Sequence, residues 1–418
     1  MGRVKVWHAC ILGLLFASRS FAVEGDWPQF LGPSRNLTCP DPGLAKTWPA
    51  GGPPAVWKKP VGQGFSAPVV SGGRMVLFHR VGDDEVVECL DARTGEKRWA
   101  EKYPTAYRDD FGFDEGPRST PAIDGGRVFT FGAEGKLHCW EMETGRKVWT
   151  ADTREKFRQD KGFFGMACSP LVEGEAVVLN IGGRDGSGVV AFDRSTGNVL
   201  WKATDDEAGY ASPVAATIGG RRYIFSFNRA GLVGLDPKDG AVRFKFPWRS
   251  RSHASVNAAT PLVIGDTVFI SASYGTGAAL LRVDRDEKPQ EVWSGDDILS
   301  NHYATSVHHA GFLYGFDGRQ EERPRLRCVE LKTGKVRWSE NGVGAGTILA
   351  AGEKLLVLKE TGELVMAAAS PEKFQPLARA QILQGECRAY PALANGLFYA
   401  RDKTTLVCLD LQSDAKKR

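Results

Sequence analysis

The chain has 418 residues, 42% of them hydrophobic and 25% charged, with a formal net charge of +4. Arg3, Lys5 and Arg19 lie in a candidate leader, and without them the balance falls to about +1, too little for a nucleic-acid footprint. The 49 glycines and 22 prolines point to many turns, and no long helical periodicity is present.

Residues 1–22 carry Arg3 and Lys5, an apolar run from Ala9 to Ala17, and Ser20 and Ala22 at the spacing of a small-residue cleavage site. That is the pattern of a secretory signal peptide cut near Ala22. Its apolar run is well short of the ~20 residues needed to span a bilayer. Cys10 opens the run instead of closing it, so no lipid anchor is indicated. The expectation is a soluble, monomeric protein exported to the periplasm or beyond, with no transmembrane segment.

Residues 25–60 form an N-terminal arm containing Trp27, Phe30, Trp48 and Trp57. Only Ala55 to Val61 looks like part of the unit that repeats downstream, and it matches that unit's last strand. The final unit, by contrast, stops soon after Asp410, before the basic tail 414–418, and has no such strand. The two fragments complement each other. Lending the N-terminal strand to the last unit, beside Cys408, would remove an exposed sheet edge.

The unit is clearest at Val189 to Trp201, VVAFDRSTGNVLW, where two alternating apolar runs flank Asp193, Thr196 and Gly197. This reads as a β-hairpin with glycine at the position needing φ > 0. The acid, glycine and tryptophan return as Asp91, Gly95, Trp99; Glu141, Gly145, Trp149; and Glu330, Gly334, Trp338. A phenylalanine version is Asp236, Gly240, Phe244, and a lengthened turn runs from Asp284 to Trp293. A small residue beside a proline opens most units, at Pro68, Pro121, Pro170, Pro213, Pro261 and Pro391, as suits a strand's first residue. The acids step by 43 to 52 residues, and a degenerate unit from Thr347 to Ala380 fills the longer gap before Asp410. Eight units with this period predict an all-β, eight-bladed β-propeller of four-stranded antiparallel blades over 23–413.

Cys89, Cys139, Cys328 and Cys408 each stand two residues before the repeat's acid, so one buried packing slot accounts for them. Cys39, Cys168 and Cys387 stand elsewhere, and no C-x-x-C occurs.

With its proline-opened strand, D-x-x-T-G turn and tryptophan four residues after the glycine, the pattern resembles the pyrroloquinoline-quinone-like (PQQ-like) propeller repeat over residues 25 to 411. Asp26 to Pro33 (DWPQFLGP), Gly116 to Pro121 (GPRSTP), Tyr274 to Leu281 (YGTGAALL), and Asn301 with His302 are similar to secreted bacterial members. The resemblance implies tryptophans docked between blades and three classes of member: PQQ-dependent dehydrogenases of alcohols or sugars, binding or scaffolding proteins such as the outer-membrane assembly factor BamB, and a majority of other members with no assigned role. A dehydrogenase would be expected to hold PQQ with calcium, often beneath a disulfide of adjacent cysteines, which this chain lacks. The one dense acidic stretch near the channel is Asp109, Asp110, Asp114 and Glu115, which reads equally as a solvated loop.

Loops entering the proline-opened strands converge on one end of a closed ring. They bring Phe65, Arg118, Phe163, Phe164, Tyr210, Asn257, Asn301, His302, Arg388 and Tyr390 toward the channel mouth. Arginine, amide and aromatic groups in that setting suit a small anionic ligand or a peptide, so a ligand site is expected at Arg118, Tyr210, Asn257, Asn301, His302, Arg388 and Tyr390. The long stretch Tyr103 to Thr120 is expected to cover part of the mouth. No metal site and no catalytic residue are assigned.

Overall fold

Each repeat turn is built by its own acid. Asp193 Oδ1 accepts the N–H groups of Ser195 (3.0 Å) and Thr196 (2.8 Å), and Gly197 follows at φ 74°. That left-handed conformation is open to glycine without a side-chain clash. Asp91 caps Arg93 and Thr94 in the same way. Val189–Asp193 pairs antiparallel with Val199–Ala203; the inner strand is buried on both faces, while the outer one alternates and buries only one.

The computed structural model describes residues 25–253, 256–284 and 287–412; the expected leader of residues 1–22 and the tail of 414–418 lie outside them. Eight antiparallel sheets follow one another along the chain, over 69–104, 122–152, 171–203, 214–247, 262–295, 307–340, 346–381 and 392–410. We call them blades 1 to 8. First strands touch between blades 1 and 2, 2 and 3, 3 and 4, 6 and 7, and 8 and 1, and hydrogen bonds at the strand openings link blades 4 to 5, 5 to 6 and 6 to 8, so the sheets close around an axis as an eight-bladed propeller. The one α-helix among the described residues is Thr153–Phe157, and none is long and apolar enough to cross a membrane.

Ring closure follows the split unit. Ala55–Pro60 pairs antiparallel with Thr405–Asp410 as the outermost strand of blade 8, and Trp57 lies opposite Cys408.

The tryptophans join neighbouring blades through one repeated contact. The Trp149 ring lies on Gly197 of the next blade, so closely that a Cβ there would come within 2.7 Å of Trp149 Cε3, and its indole N–H donates to Arg194 O (3.0 Å). Trp57 on Gly95, Trp99 on Gly145, Trp201 on Gly240 and Trp293 on Gly334 repeat the stacking. The turn glycine thus serves both its φ and its neighbour's ring. Two blades depart from this. Phe244 lies over Gly234 of its own blade and packs on Tyr223 and Phe225, and the next unit's lengthened turn, Asp284 to Pro289, has no glycine in its sequence. Trp338 meets a glycine-free turn, where it donates to Ser370 O (2.9 Å) and packs on Phe374.

The cysteine slot is real: Cys89, Cys139, Cys328 and Cys408 pair across strands with Trp99, Trp149, Trp338 and Trp57. All four are fully buried, and all seven cysteines among the described residues are free. Burial pushes the Cys89 thiol up to about 11 and the Cys139, Cys328 and Cys408 thiols up to about 12, which keeps them unreactive at neutral pH.

The course of the arm goes beyond the sequence reading. Asp26 accepts from Ser71 Oγ and Gly72 N at the far end of the first strand of blade 1, and Trp27 pairs with Val70. Pro28 O accepts from Ile123 of blade 2, and Arg35 reaches the carbonyls of Ser169 and Pro170 of blade 3. Thr38–Cys39 then adds a parallel fifth strand to blade 7, and Leu44 pairs with Gln412. Trp27, Leu31 and Leu37 are buried within this crossing. The arm therefore packs across the channel, from the end opposite the proline-opening loops.

The stacking predicts a coupled pair of substitutions. Trp149→Ala should cost ~3–5 kcal/mol through lost burial and a cavity. Gly197→Ala should destabilise through both its φ and the clash with Trp149, and it should cost markedly less in the Trp149→Ala background, where only the φ penalty remains. Denaturant unfolding of the two single variants and the double variant checks this; additive effects would mean that the contact is absent.

Candidate functional site at the channel mouth

A belt of hydroxyl groups lies beneath the mouth. The residue beside five of the six opening prolines gives its backbone N–H to a hydroxyl of the next blade: Ala67 to Thr120, Thr120 to Ser169, Ser169 to Ser212, Ser212 to Thr260, and Thr260 to Thr305, at 2.8–3.2 Å. Blade 7, the degenerate unit, has no proline-opened strand. The belt crosses it through a longer side chain, since Thr305 donates to the Tyr390 hydroxyl of blade 8 at 2.5 Å. Tyr390 in turn donates to Tyr303 O and packs edge-on against Phe30 of the arm. Tyr390 is thus buried structure at the floor of the mouth.

Above the belt, Phe65 is gripped by three cations. The guanidinium groups of Arg118 and Arg388 lie 5.5 and 5.6 Å from its ring centroid, and Lys403 Nζ lies 5.8 Å away. Both arginines already have carboxylate partners. Arg118 Nη2 donates to Asp109 Oδ2 (3.1 Å). Arg388 Nη2 lies 2.5 Å from Glu386, while its Nε is 3.2 Å from Glu360 without hydrogen-bond alignment. Tyr303 also donates to Glu360, at 2.7 Å.

Asp109 belongs to the loop that crosses the mouth, and it is the loop's internal clamp. Its carboxylate accepts from the N–H groups of Phe111, Phe113 and Asp114 and is buried. Burial pushes the carboxyl up, but those backbone donors and the Arg118 guanidinium outweigh it and hold the pKa below the usual value. The acidic stretch is therefore not a solvated loop: Asp109 and Asp114 are buried, while Asp110 faces outward with Lys161. Strand structure continues to Pro104, so the covering segment begins at Thr105, not Tyr103. It lifts Phe111 to the surface at 55% exposure, packed on Phe113, Phe163 and Phe164. Lys403 donates to Phe113 O, which ties the loop to blade 8.

The remaining residues divide by role. Tyr210 accepts from the N–H groups of Phe163 and Phe164 and packs on Phe164, within the aromatic cluster. Asn257 is buried and gives its amide to the carbonyls of Asn228 and Trp248. Asn301 is buried too, donating to Phe316 O and accepting from Ser306 Oγ. His302 joins a separate group on blades 5 and 6, with Tyr274 Oη at 3.0 Å and Gln320 Oε1 at 2.6 Å, and burial lowers its pKa. Glu360, Glu386 and Lys403 were missed in the sequence because they come from turns without a repeat signature.

PQQ and calcium can be tested against these residues. Phe65 already occupies the place between the two arginines where a planar anion would sit, and both cations are paired. Calcium takes six to eight oxygen ligands, yet among the described residues no group of three or more His, Cys, Asp or Glu side chains could hold a metal ion. The donor set at this mouth does not fit the quinone and its ion.

Fold and mouth together define a PQQ-like propeller with a covered channel. The chain belongs to the family described as outer membrane protein assembly factor BamB, whose model matches residues 83–340. It is 26% identical over 353 residues to the outer membrane protein assembly factor BamB of Burkholderia pseudomallei, covering 73% of this chain and 86% of that protein. It is 31% identical over 143 residues to the quinohemoprotein alcohol dehydrogenase ADH-IIG of Pseudomonas putida, but this covers only 33% of the chain and 19% of that enzyme. In fold it is similar to BamB from Moraxella catarrhalis (TM-score 0.64, 15% identity, 85% of this chain and 99% of that one). It is equally similar to the quinohemoprotein alcohol dehydrogenase of Comamonas testosteroni (TM-score 0.66, 16% identity, 94% and 82%).

Two outcomes follow from the mouth's geometry. Tyr390→Phe strands the buried Thr305 N–H and should lower stability by ~1–3 kcal/mol in denaturant unfolding, whereas a merely solvated tyrosine would tolerate the change. Asp109, with its depressed pKa, holds the covering loop at neutral pH, and this hold is lost as pH falls through the folded pKa, below the ordinary ~3.9. Arg118→Gln removes one cause of the depression, so the pH at which the amides of Phe111, Phe113 and Asp114 lose hydrogen-exchange protection should rise. An unchanged profile would mean that Arg118 does not hold the loop.

Proposed function

We propose that this chain is an exported propeller that acts as a binding or scaffolding protein, holding a protein partner at its channel mouth. The observation that carries this is the mouth's own pairing. Arg118 and Arg388 are committed to Phe65 and to carboxylates, while Phe111 stands exposed on a rigid aromatic base. An exposed aromatic cluster with a charged rim is the composition of a protein-binding patch. Its charges are balanced, which favours a mixed polar and apolar peptide surface over a small anion. The similarity to BamB proteins, described as assembly factors, supports the reading over most of both chains.

Three measurements test it. Purified protein incubated with PQQ and calcium should show neither a melting shift nor dye reduction on adding alcohols or sugars; either signal would restore the dehydrogenase. A photo-crosslinking residue at position 111 should give a discrete protein adduct in the exporting cell, and one at Lys238, on an outer turn, should not. Equal labelling at both positions, or none at 111, would remove the mouth from consideration. N-terminal mass spectrometry of the exported chain should read from Val23.

A further inference from the structure

Around Phe65 and Phe111 the charges of the mouth are balanced, and along its edge at blades 4 and 5 they are not. Arg118, Arg229, Arg319 and Arg388 each lie beside a carboxylate, of Asp109, Glu207, Glu322 and Glu386. Arg249 and Arg251 do not. Both are exposed in the loop that enters blade 5, and neither has a carboxylate partner among the described residues. The loop itself is pinned. Trp248 donates its indole N–H to Gly277 O (3.1 Å), and Ser250, turned inward at 6% exposure, donates to Tyr274 O (2.7 Å) and accepts from Ser252 N (3.0 Å). With Ser250 facing in, the arginine on either side of it stands outward from a held backbone.

Beside this loop lies a cleft of about 290 Å³ between blades 3 and 4, with Phe163, Met166, Tyr210 and Val256 among its apolar walls. At the second-strand position that holds Phe78, Phe131, Phe227 and Phe316 in blades 1, 2, 4 and 6, blade 3 has the shorter Asn180, where blade 5 has Ser271 and blade 8 Arg401. The Asn180 amide is enclosed, so it offers the cleft bulk and no polar contact. Arg229 joins cleft and loop: it lies over the Phe163 ring (5.7 Å) and donates to His253 O at the loop's end. Phe163 in turn packs on the exposed Phe111, with ring centroids 6.1 Å apart. The charged residues that line the cleft are all paired, Glu207 with Arg229 (2.7 Å), Asp160 with Arg184 (3.8 Å) and Lys161 with Asp110 (2.6 Å). The charge left unopposed beside it is that of Arg249 and Arg251.

We propose that the protein partner enters this edge of the mouth as an acidic segment, seating one aliphatic side chain in the cleft and setting its carboxylates on Arg249 and Arg251. The inference rests on the protein-partner reading above and names the chemistry of that partner. A cleft at the lower end of ligand-site volumes suits one side chain better than a whole ligand. An apolar anchor in a pocket, ringed by polar contacts, is also how a small part of an interface carries most of its affinity. Arginine meets a carboxylate through two parallel hydrogen bonds. Because the loop is already held, a carboxylate orders little more on binding. A neutral segment would leave both charges unopposed, and a basic one would be repelled. Nucleic acid or anionic lipid would answer the charge and leave the apolar cleft unfilled.

Four labelled peptides test it: Gly-Leu-Gly-Glu-Glu-Gly, its Gln-Gln and Lys-Lys counterparts, and the Glu-Glu peptide with alanine in place of leucine. By fluorescence anisotropy the leucine and glutamate peptide should bind saturably, and the other three at least tenfold more weakly. Arg249→Gln with Arg251→Gln should keep the melting temperature, since both side chains are exposed, and should bring the Glu-Glu peptide down to the level of the Gln-Gln one. Arg249→Glu with Arg251→Glu should reverse the preference toward the Lys-Lys peptide. No saturable binding of the leucine and glutamate peptide, or equal binding by the unmodified protein and both variants, would overturn the proposal. Equal binding of the alanine peptide would overturn it too, because the cleft would then hold no anchor. Binding to phosphatidylglycerol vesicles that the glutamine variant abolishes, with no peptide bound, would assign the two arginines to a membrane surface instead. Crosslinking at position 111 separates this from the wider reading. An adduct that survives the glutamine variant at full yield keeps the partner and overturns its acidic chemistry, whereas no adduct at 111 removes the partner itself.

Discussion

The constraint on which this propeller depends is the inner belt that joins one blade to the next. A blade contributes a short first strand whose leading N–H has no partner within its own sheet, because the chain arrives there from a loop. Buried without a partner, that N–H would cost about 1–3 kcal/mol per blade. The neighbour's hydroxyl supplies the acceptor, from Thr120, Ser169, Ser212 and Thr260, each beside a proline, and from Thr305, which is followed by Ser306. The proline suits the same position, since it starts the strand without needing to donate. The small-residue–proline signature is therefore a joint between blades as much as a strand opener, and it fixes which loops meet at the mouth.

Much of this was legible in the sequence because a repeat exposes its own rules. The acid, the glycine and the tryptophan mark a turn, its φ and its interblade contact, and their spacing counts the blades. The missing tryptophan strand after Asp410 and the orphan strand at Ala55–Pro60 together describe the closure. What could not be read was whatever lacks a period. The arm of residues 25–45 crosses the channel through single contacts to blades 1, 2, 3, 7 and 8, each made by a different residue type, and no periodicity announces such a path. The degenerate blade 7 hid its effect on the belt for the same reason. Only with blades 6 and 8 in place does Tyr390 become the side chain long enough to span them.

The mouth shows how charged residues in a list differ from charged residues in space. Listed by position, Arg118 and Arg388 are two cations awaiting an anion. Folded, they are paired with Asp109 and Glu386 and laid on Phe65. The acids come from the covering loop and the turn before blade 8, outside the repeat, so a residue-by-residue comparison of repeats could not pair them. A guanidinium held between a ring and a carboxylate is a structural element, and its contribution is to hold Phe111 and the loop beneath it in one arrangement.

Repetition also supplies an internal control that a non-repeating fold lacks. At a position with eight equivalents, the environment that backbone geometry demands is known from the other blades, and a departure has to be balanced locally or serve something else. Phe244 in place of tryptophan is balanced within its own blade, where its ring lies over Gly234. Ser271 is balanced by the carbonyl it reaches, and Arg401 in part, through Nε and Nη2, with its Nη1 left unpaired. Tyr390 in place of serine or threonine is balanced by the gap it spans. Asn180 is the polar departure among these without a balancing contact in the chain, and it lies where two blades part to leave a cavity.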